Sequence, residues 1–200
     1  LVLKSGFIGD VVVASALVDM YYKCGSSEEA IKGFSELGVY DTILLNSMIT
    51  IYSNCGKIEC AKQIFNTMSN KSLVSWNSMI VALSQNGYPV EALHIFCEMN
   101  NLGLRMDKFT LATAISACAS ISSLELGEQI FGRSLIIGLE CNPILSTSLV
   151  DFYCKCGFVE KGRKIFDGMF IPDEVSWNTM LMAYAIHGFS EDALTTFDQL

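Results

Sequence analysis

Histidine is scarce in this chain, with two residues in 200, and charged residues make up only 17% of it. His94 and His187 lie far apart, and neither opens a His-x-Glu. No Cys-x-x-Cys occurs, so the ligand spacings of a zinc site are missing. A Gly-rich phosphate loop and a zinc-deaminase signature are missing too. An enzyme is therefore not expected in this stretch, and neither a metal nor a cofactor is expected. Basic charge is also short: 13 Lys and Arg stand against 21 Asp and Glu, a net charge of −8. Indiscriminate polyanion binding draws most of its affinity from Lys and Arg on phosphates, so this balance counts against it. Long apolar runs are absent as well. Asp19, Asp41, Asn46 and Asn77 break the longest ones before they reach the ~18 residues of a spanning helix, so no membrane partner is expected.

What is abundant is apolar content, 51% of the chain, with a mean hydropathy of +0.40. That excludes a disordered chain and suits a helical array buried on both sides of each unit. The eight cysteines are Cys24, Cys55, Cys60, Cys97, Cys118, Cys141, Cys154 and Cys156. Most fall inside helical apolar patterns, which predicts buried, reduced thiols and a reducing compartment rather than a disulfide framework. The chain opens on Leu1 without a Met and stops inside its pattern, so it is expected to be a fragment. No signal or transit peptide is visible, which says little for a fragment.

The strongest signal is internal repetition. Tyr22-Lys23-Cys24-Gly25 returns as Cys154-Lys155-Cys156-Gly157, and Val74-Ser75-Trp76-Asn77 returns as Val175-Ser176-Trp177-Asn178. Both separations divide into units of 31 and 35 residues. The resulting segments are 11–41, 42–72, 73–107, 108–142, 143–173 and a truncated 174–200, with 1–10 as the end of a preceding unit.

Columns test that register. Position 20 of each segment is small: Ala30, Ala61, Ala92, Gly127, Gly162 and Ala193. Position 24 is Phe six times: Phe34, Phe65, Phe96, Phe131, Phe166 and Phe197. Position 15 is Gly in five segments and Ser122 in the sixth. Apolar residues at positions 4, 7, 8 and 11 predict a first helix, which Gly at position 15 stops by taking the left-handed conformation. A second helix follows from about position 17, its core stripe at 20, 23, 24 and 27. Small residues at 20 allow close approach, and Phe at 24 fills the space between units. Such hairpins cannot bury both faces alone, so they are expected to stack into an all-α, right-handed superhelical solenoid.

Helix hairpins of this length suit two families. Tetratricopeptide repeats expect Gly at position 8, where this chain has Val18, Ile49, Ile80, Ile115, Val150 and Leu181. The sequence instead resembles plant organellar pentatricopeptide repeat proteins of the mixed-length (PLS) subgroup, over essentially its whole length. The residues that carry the resemblance are Ala16-Leu17-Val18-Asp19-Met20-Tyr21 with Lys23-Cys24-Gly25, Val74-Ser75-Trp76-Asn77-Ser78-Met79-Ile80 with Gln85-Asn86-Gly87, and Phe109-Thr110-Leu111 with Ser116-Ala117-Cys118-Ala119. The segments from 73 onward follow that subgroup's order: standard, long, short, standard. Segments 11–41 and 42–72 are both short, which departs from strict alternation.

Positions 2, 5, 9 and 12 or 13 of the first helix fall on one face, away from the apolar stripe. The resemblance implies that this face binds single-stranded RNA, one base per repeat, read on Watson–Crick edges. It implies that position 5 and the last residue of each unit select the base, and that position 2 residues of adjacent units sandwich it. The sandwich candidates are Val12, Ile43, Val74, Phe109, Ile144 and Val175. Ser15 with Asp41 and Thr147 with Asp173 then resemble guanine readers, Asn46 with Ser72 a pyrimidine reader that favours cytosine, and Asn77 with Asp107 a uracil reader. Ala112 with Asn142 offers little, and Asn178 implies a pyrimidine.

The implied target is 5′-GCUNGY-3′. Lys23 and Lys155 at position 13 are candidate phosphate contacts, or cations offsetting the helix dipole. The resemblance further implies a mitochondrial or chloroplast address, with other editing or processing factors as partners. Members of the subgroup often carry a cytidine-deaminase-like C-terminal extension, which would make this stretch the addressing part of an RNA editing factor. The competing reading is a tetratricopeptide-like scaffold that binds other proteins, since helical solenoids also present concave surfaces to peptides.

Overall fold

The computed structural model describes residues 11–35, 40–139 and 142–198, apart from the side chains of Val11, Val12 and Ala14. Among the described residues it is all α, with twelve helices and no strand. They are α1 (Val11–Lys23), α2 (Ser27–Ser35), α3 (Thr42–Asn54), α4 (Ile58–Thr67), α5 (Leu73–Gln85), α6 (Pro89–Asn101), α7 (Lys108–Ser120), α8 (Leu124–Ile136), α9 (Pro143–Lys155), α10 (Val159–Asp167), α11 (Glu174–His187) and α12 (Ser190–Phe197). Positions below are counted from residues 11, 42, 73, 108, 143 and 174. Residues 1–10 and Cys141 lie outside the described residues.

The chain forms two compact units, one ending at Tyr88 with α1–α5 and one starting at Pro89 with α6–α12. In the first, α3 packs on α1, α2, α4 and α5. In the second, α9 packs on α7, α8, α10 and α11. Within each unit odd-numbered helices touch one another, while even-numbered helices touch only odd-numbered ones.

One turn geometry ends every odd-numbered helix. The amide of position 16 donates to the carbonyl of position 11 in all six: Ser26 to Tyr21, Lys57 to Tyr52, Tyr88 to Leu83, Ser123 to Cys118, Phe158 to Tyr153 and Phe189 to Tyr184, at 2.8–3.0 Å. This is the six-to-one bond of a Schellman cap, which needs a left-handed residue between helix and amide. Position 15 supplies it in each case. Gly25, Gly56, Gly87, Gly157 and Gly188 have φ of 68 to 84°, and Ser122 takes φ 52°. The one segment without Gly keeps the turn and accepts the strain.

Position 8 is buried as expected, at 0–2% exposure for Val18, Ile49, Ile80, Ile115 and Val150. The core is wider than the stripe at 4, 7, 8 and 11. Positions 3 and 10 are buried as well, as Leu44 and Ile51, Ser75 and Ala82, Leu145 and Phe152, and Ser176 and Ala183. An odd-numbered helix meets an even-numbered partner on one side and a neighbouring odd-numbered helix on another, so roughly half its circumference is apolar.

Position 20 is small because of what faces it. A Cβ on Gly127 of α8 would meet the Phe152 ring of α9 at 2.1 Å, and one on Gly162 of α10 would meet Cys154 Sγ at 2.7 Å. Position 24 stacks edge-on against position 4 of the next hairpin, as Phe65 on Trp76 (ring centroids 5.2 Å apart) and Phe166 on Trp177 (4.8 Å). Such pairs add about 0.5–1.5 kcal/mol beyond the area they bury.

The thiols differ from expectation. Of the seven described cysteines, Cys118 and Cys154 are buried, Cys60 and Cys156 are half-buried, and Cys24, Cys55 and Cys97 are exposed. Cys24 and Cys55 occupy position 14, past the last turn of the helix, where the apolar stripe no longer faces the core. All seven are free.

Candidate nucleic-acid interface

Opposite the buried half of each odd-numbered helix lie positions 2, 5, 9 and 13, roughly 180° from the core at 100° per residue. Position 2 is apolar yet exposed at every described residue: Ile43 70%, Val74 59%, Phe109 55%, Ile144 40% and Val175 61%. Val12 lies in α1, with its side chain outside those described.

Position 5 stands one turn further on. Ser15, Asn46, Asn77 and Thr147 are half-buried and Asn178 is exposed. Ala112 is buried at 5% and gives this face no hydrogen-bonding group. Thr147 bonds back to the Pro143 carbonyl at 3.0 Å. Ser15 Oγ and Asn46 Oδ1 are buried and without a partner among the described residues. Buried polar atoms are rarely left unpaired, so each such atom calls for an explanation.

The last residue of each segment caps the helix that follows. The Asp41 carboxylate accepts from Leu44 N at 2.7 Å, Asp107 from Thr110 N at 2.8 Å and Asp173 from Ser176 N at 2.8 Å. The Asn142 side-chain oxygen accepts from Leu145 N at 3.4 Å. Ser72 forms a capping box with Ser75. These side chains therefore have a structural role in helix initiation, whatever else they do. In Asp41, Asp107 and Asp173 the capping atom is Oδ1, one of the two carboxylate oxygens.

Among the predicted pairs, Asn46 and Ser72 are in direct contact. Asn46 Nδ2 donates to Ser72 Oγ at 3.5 Å.

Among the described residues a cavity opens on this face of each unit, and these cavities are built alike. The first, about 250 Å³, lies between α3 and α5 and is lined by positions 9, 12 and 13 of α3 (Thr50, Ser53, Asn54) and by Val74, Asn77, Val81 and Gln85 of α5. The second, about 560 Å³, lies between α9 and α11. It is lined by the same three positions of α9 (Asp151, Cys154, Lys155) and by Val175, Asn178, Met182 and Ile186 of α11. Position 14 clips neighbouring helices together beneath them. Asn86 Nδ2 donates to Ser53 Oγ at 2.9 Å, and His187 Nε2 lies 3.0 Å from the Cys154 carbonyl oxygen.

The two candidate phosphate contacts are not lone cations. Lys23 pairs with Asp19 at 2.7 Å and Lys155 with Asp151 at 2.8 Å, each within one helix. Both lysines also sit in a last helical turn, where a cation offsets the dipole. The aspartates at position 9 are a feature that sequence reasoning passed over, although the four-residue spacing to lysine was visible. Among the described residues no cluster of His, Cys, Asp or Glu could hold a metal ion, and no helix is long and apolar enough to cross a membrane.

The PPR repeat pattern matches residues 12–39, 43–73, 145–170 and 175–200, and the related PPR repeat family pattern matches 71–120. The chain belongs to the PPR, or pentatricopeptide repeat, family. A pentatricopeptide repeat-containing protein of Arabidopsis thaliana, named as mitochondrial, is 56% identical over 98% of this PPR chain and 28% of its own length. Another from the same plant, named as chloroplastic, is 34% identical over 96% of the chain and 20% of its own length. The PPR chain thus spans about a quarter of the length of such relatives. Among solved structures it is similar in fold to the pentatricopeptide repeat protein PPR10 from maize, with a TM-score of 0.72, 18% identity and 94% of the chain covered. It is also similar to PPR10 in complex with an 18-nt psaJ RNA element, with a TM-score of 0.78, 18% identity, and 98% of this chain and 31% of that one covered.

Proposed function

We propose that the exposed face of the odd-numbered helices binds single-stranded RNA, with successive hairpins meeting successive nucleotides. The observation that carries this reading is the exposed apolar column at position 2 beside a column at position 5 that is polar in every segment but that of Ala112. The two together line equivalent cavities between α3 and α5 and between α9 and α11. An apolar side chain left in water at the same place in hairpin after hairpin suits a flat aromatic ligand, and stacking there needs no particular base. The neighbouring amides and hydroxyls suit the donor and acceptor edges of that ligand. The fold shared with PPR10, whose complex with an RNA element has been solved, supports the reading.

In this reading Val12, Ile43, Val74, Phe109, Ile144 and Val175 sandwich bases, and the residues at position 5 with the capping residues choose them, for the order 5′-GCUNGY-3′. The stretch is then the non-catalytic, RNA-addressing part of an organellar RNA-processing or editing factor of the mixed-length subgroup. Relatives named as mitochondrial and chloroplastic support the organellar address.

The net charge of −8 favours a second reading, a scaffold for a protein partner. A gel shift separates the two. Tighter binding of a GCUNGY oligonucleotide than of its scrambled version supports the first, and equal or absent binding of both supports the second.

A further inference from the structure

Positions 9 and 13 border the cavities on the proposed RNA face, and their charges balance in every hairpin. The pairs are Asp19 with Lys23, Thr50 with Asn54, Val81 with Gln85, Ser116 with Ser120, Asp151 with Lys155, and Met182 with Ile186. Four have no charge. The other two hold one carboxylate and one ammonium, in contact at 2.7 and 2.8 Å. The same arrangement stands on α1 and on α9, and Asp151 and Lys155 line the α9–α11 cavity together with Val175 and Asn178. No hairpin therefore carries an unbalanced cation at these positions.

We propose that Asp19 and Asp151 mask Lys23 and Lys155, so that this face holds RNA by its bases and gives little to the phosphate backbone. The proposal rests on the RNA-binding reading above and names residues that set its specificity. A lone ammonium attracts phosphate over about a Debye length, ~8 Å at physiological salt. An ammonium touching a carboxylate presents a dipole, whose field falls away faster. A phosphate that does reach Lys23 or Lys155 must displace the aspartate, which exchanges one ionic contact for another. Strands with the wrong bases then gain little from the cations, and the discrimination between right and wrong strands is kept. Both pairs are half-exposed or more on the lysine side, so the change asks for no rearrangement of the core.

The test is a cycle of variants of the 200-residue chain, titrated with a GCUNGY oligonucleotide and its scrambled version across a salt series. Asp19→Asn with Asp151→Asn removes both carboxylate charges and keeps the shape. The scrambled strand is then expected to bind more tightly, by about fourfold per lysine at 0.15 M salt. The plot of log affinity against log salt is expected to steepen by about 0.7 per lysine. The preference for GCUNGY is expected to shrink. In a background of Lys23→Met with Lys155→Met, no ammonium is freed and only relief of carboxylate repulsion remains, so the same aspartate changes are expected to gain clearly less. No gain in the first case overturns the proposal, as does an equal gain without the lysines, which would mean that relief of carboxylate repulsion accounts for all of it. If the unaltered chain binds neither oligonucleotide, the RNA reading falls and this proposal with it. If it binds with preference and the cycle shows no coupling, only this proposal falls.

Discussion

Asn46 and Ser72 are 26 residues apart in the chain, and the folded hairpin brings the Asn46 amide to 3.5 Å from the Ser72 hydroxyl. Asn46 lies in the second turn of α3, and Ser72 caps α5, the next odd-numbered helix. The contact spans α4 and both of its turns. It therefore depends on the hairpin length and on the close packing of α3 against α5. A side chain at position 5 can act together with the residue that starts the neighbouring helix only under those conditions.

The capping and base-selecting roles of the aspartates separate by substitution. Asp173→Ala removes the acceptor for Ser176 N and is expected to cost about 1 kcal/mol. Asp173→Asn keeps the cap, because Asn and Asp cap almost equally well. Its melting temperature is expected to stay close to that of the parent, while the base preferred at the fifth nucleotide changes. Calorimetry and binding measured on the same two proteins check both halves.

Ser122 holds the left-handed turn that glycine holds in the other five segments. A side chain costs roughly 1–2 kcal/mol in that conformation, partly offset by the freedom glycine brings to the unfolded chain. Ser122→Gly is therefore expected to stabilise by about 0.5–1 kcal/mol, read as a higher denaturation midpoint with unchanged slope.

Gly127 leaves no room for a methyl group, since Phe152 is fully buried and its ring already occupies the place. Gly127→Ala is expected to destabilise by about 1–3 kcal/mol. Adding Phe152→Leu to that variant opens the space. The pair is then expected to cost less than the two single changes summed, a coupling that chemical denaturation of the four proteins measures.

Burial pushes the thiols of Cys118 and Cys154 up from 9.0 to about 12 and about 11. Both stay protonated at pH 8, and alkylation there is expected to reach Cys24, Cys55 and Cys97 first. The sign for stability follows from linkage. The unfolded chain ionises these thiols near their ordinary value, and the folded chain ionises them later. Their contribution is complete below pH 9 and is lost as pH rises toward 11 to 12. Mass spectrometry of labelled peptides at pH 8, with denaturation curves at pH 8 and pH 10, reads both effects.

The repeated columns make the helices legible in the sequence. Six Phe at position 24 and six small residues at position 20 mark close packing, and the Trp76 and Gly127 contacts show what they pack against. Ser122 was visible only as an exception; its left-handed backbone shows that the turn is set by the fold as well as by glycine. Leu44 and Phe152 went unread as core because a single 3.6-residue stripe describes a helix buried on one side, and these helices are buried on two. The thiols at position 14 went unread for a related reason: periodicity does not show where the helix leaves the core. At the candidate site, the polar and apolar columns were legible. The pairing of Lys23 with Asp19 and the capping bonds of Asp41 and Asp173 needed side-chain geometry.

The most direct measurement is the affinity of the parent chain and of Asn46→Ala for four GCUNGY oligonucleotides that differ only at the second base. The parent is expected to favour cytosine by about 1–3 kcal/mol. Asn46→Ala is expected to flatten the preference at that base and leave the others intact. Four equal affinities in the parent, or an Asn46→Ala chain that still favours cytosine, would contradict the account.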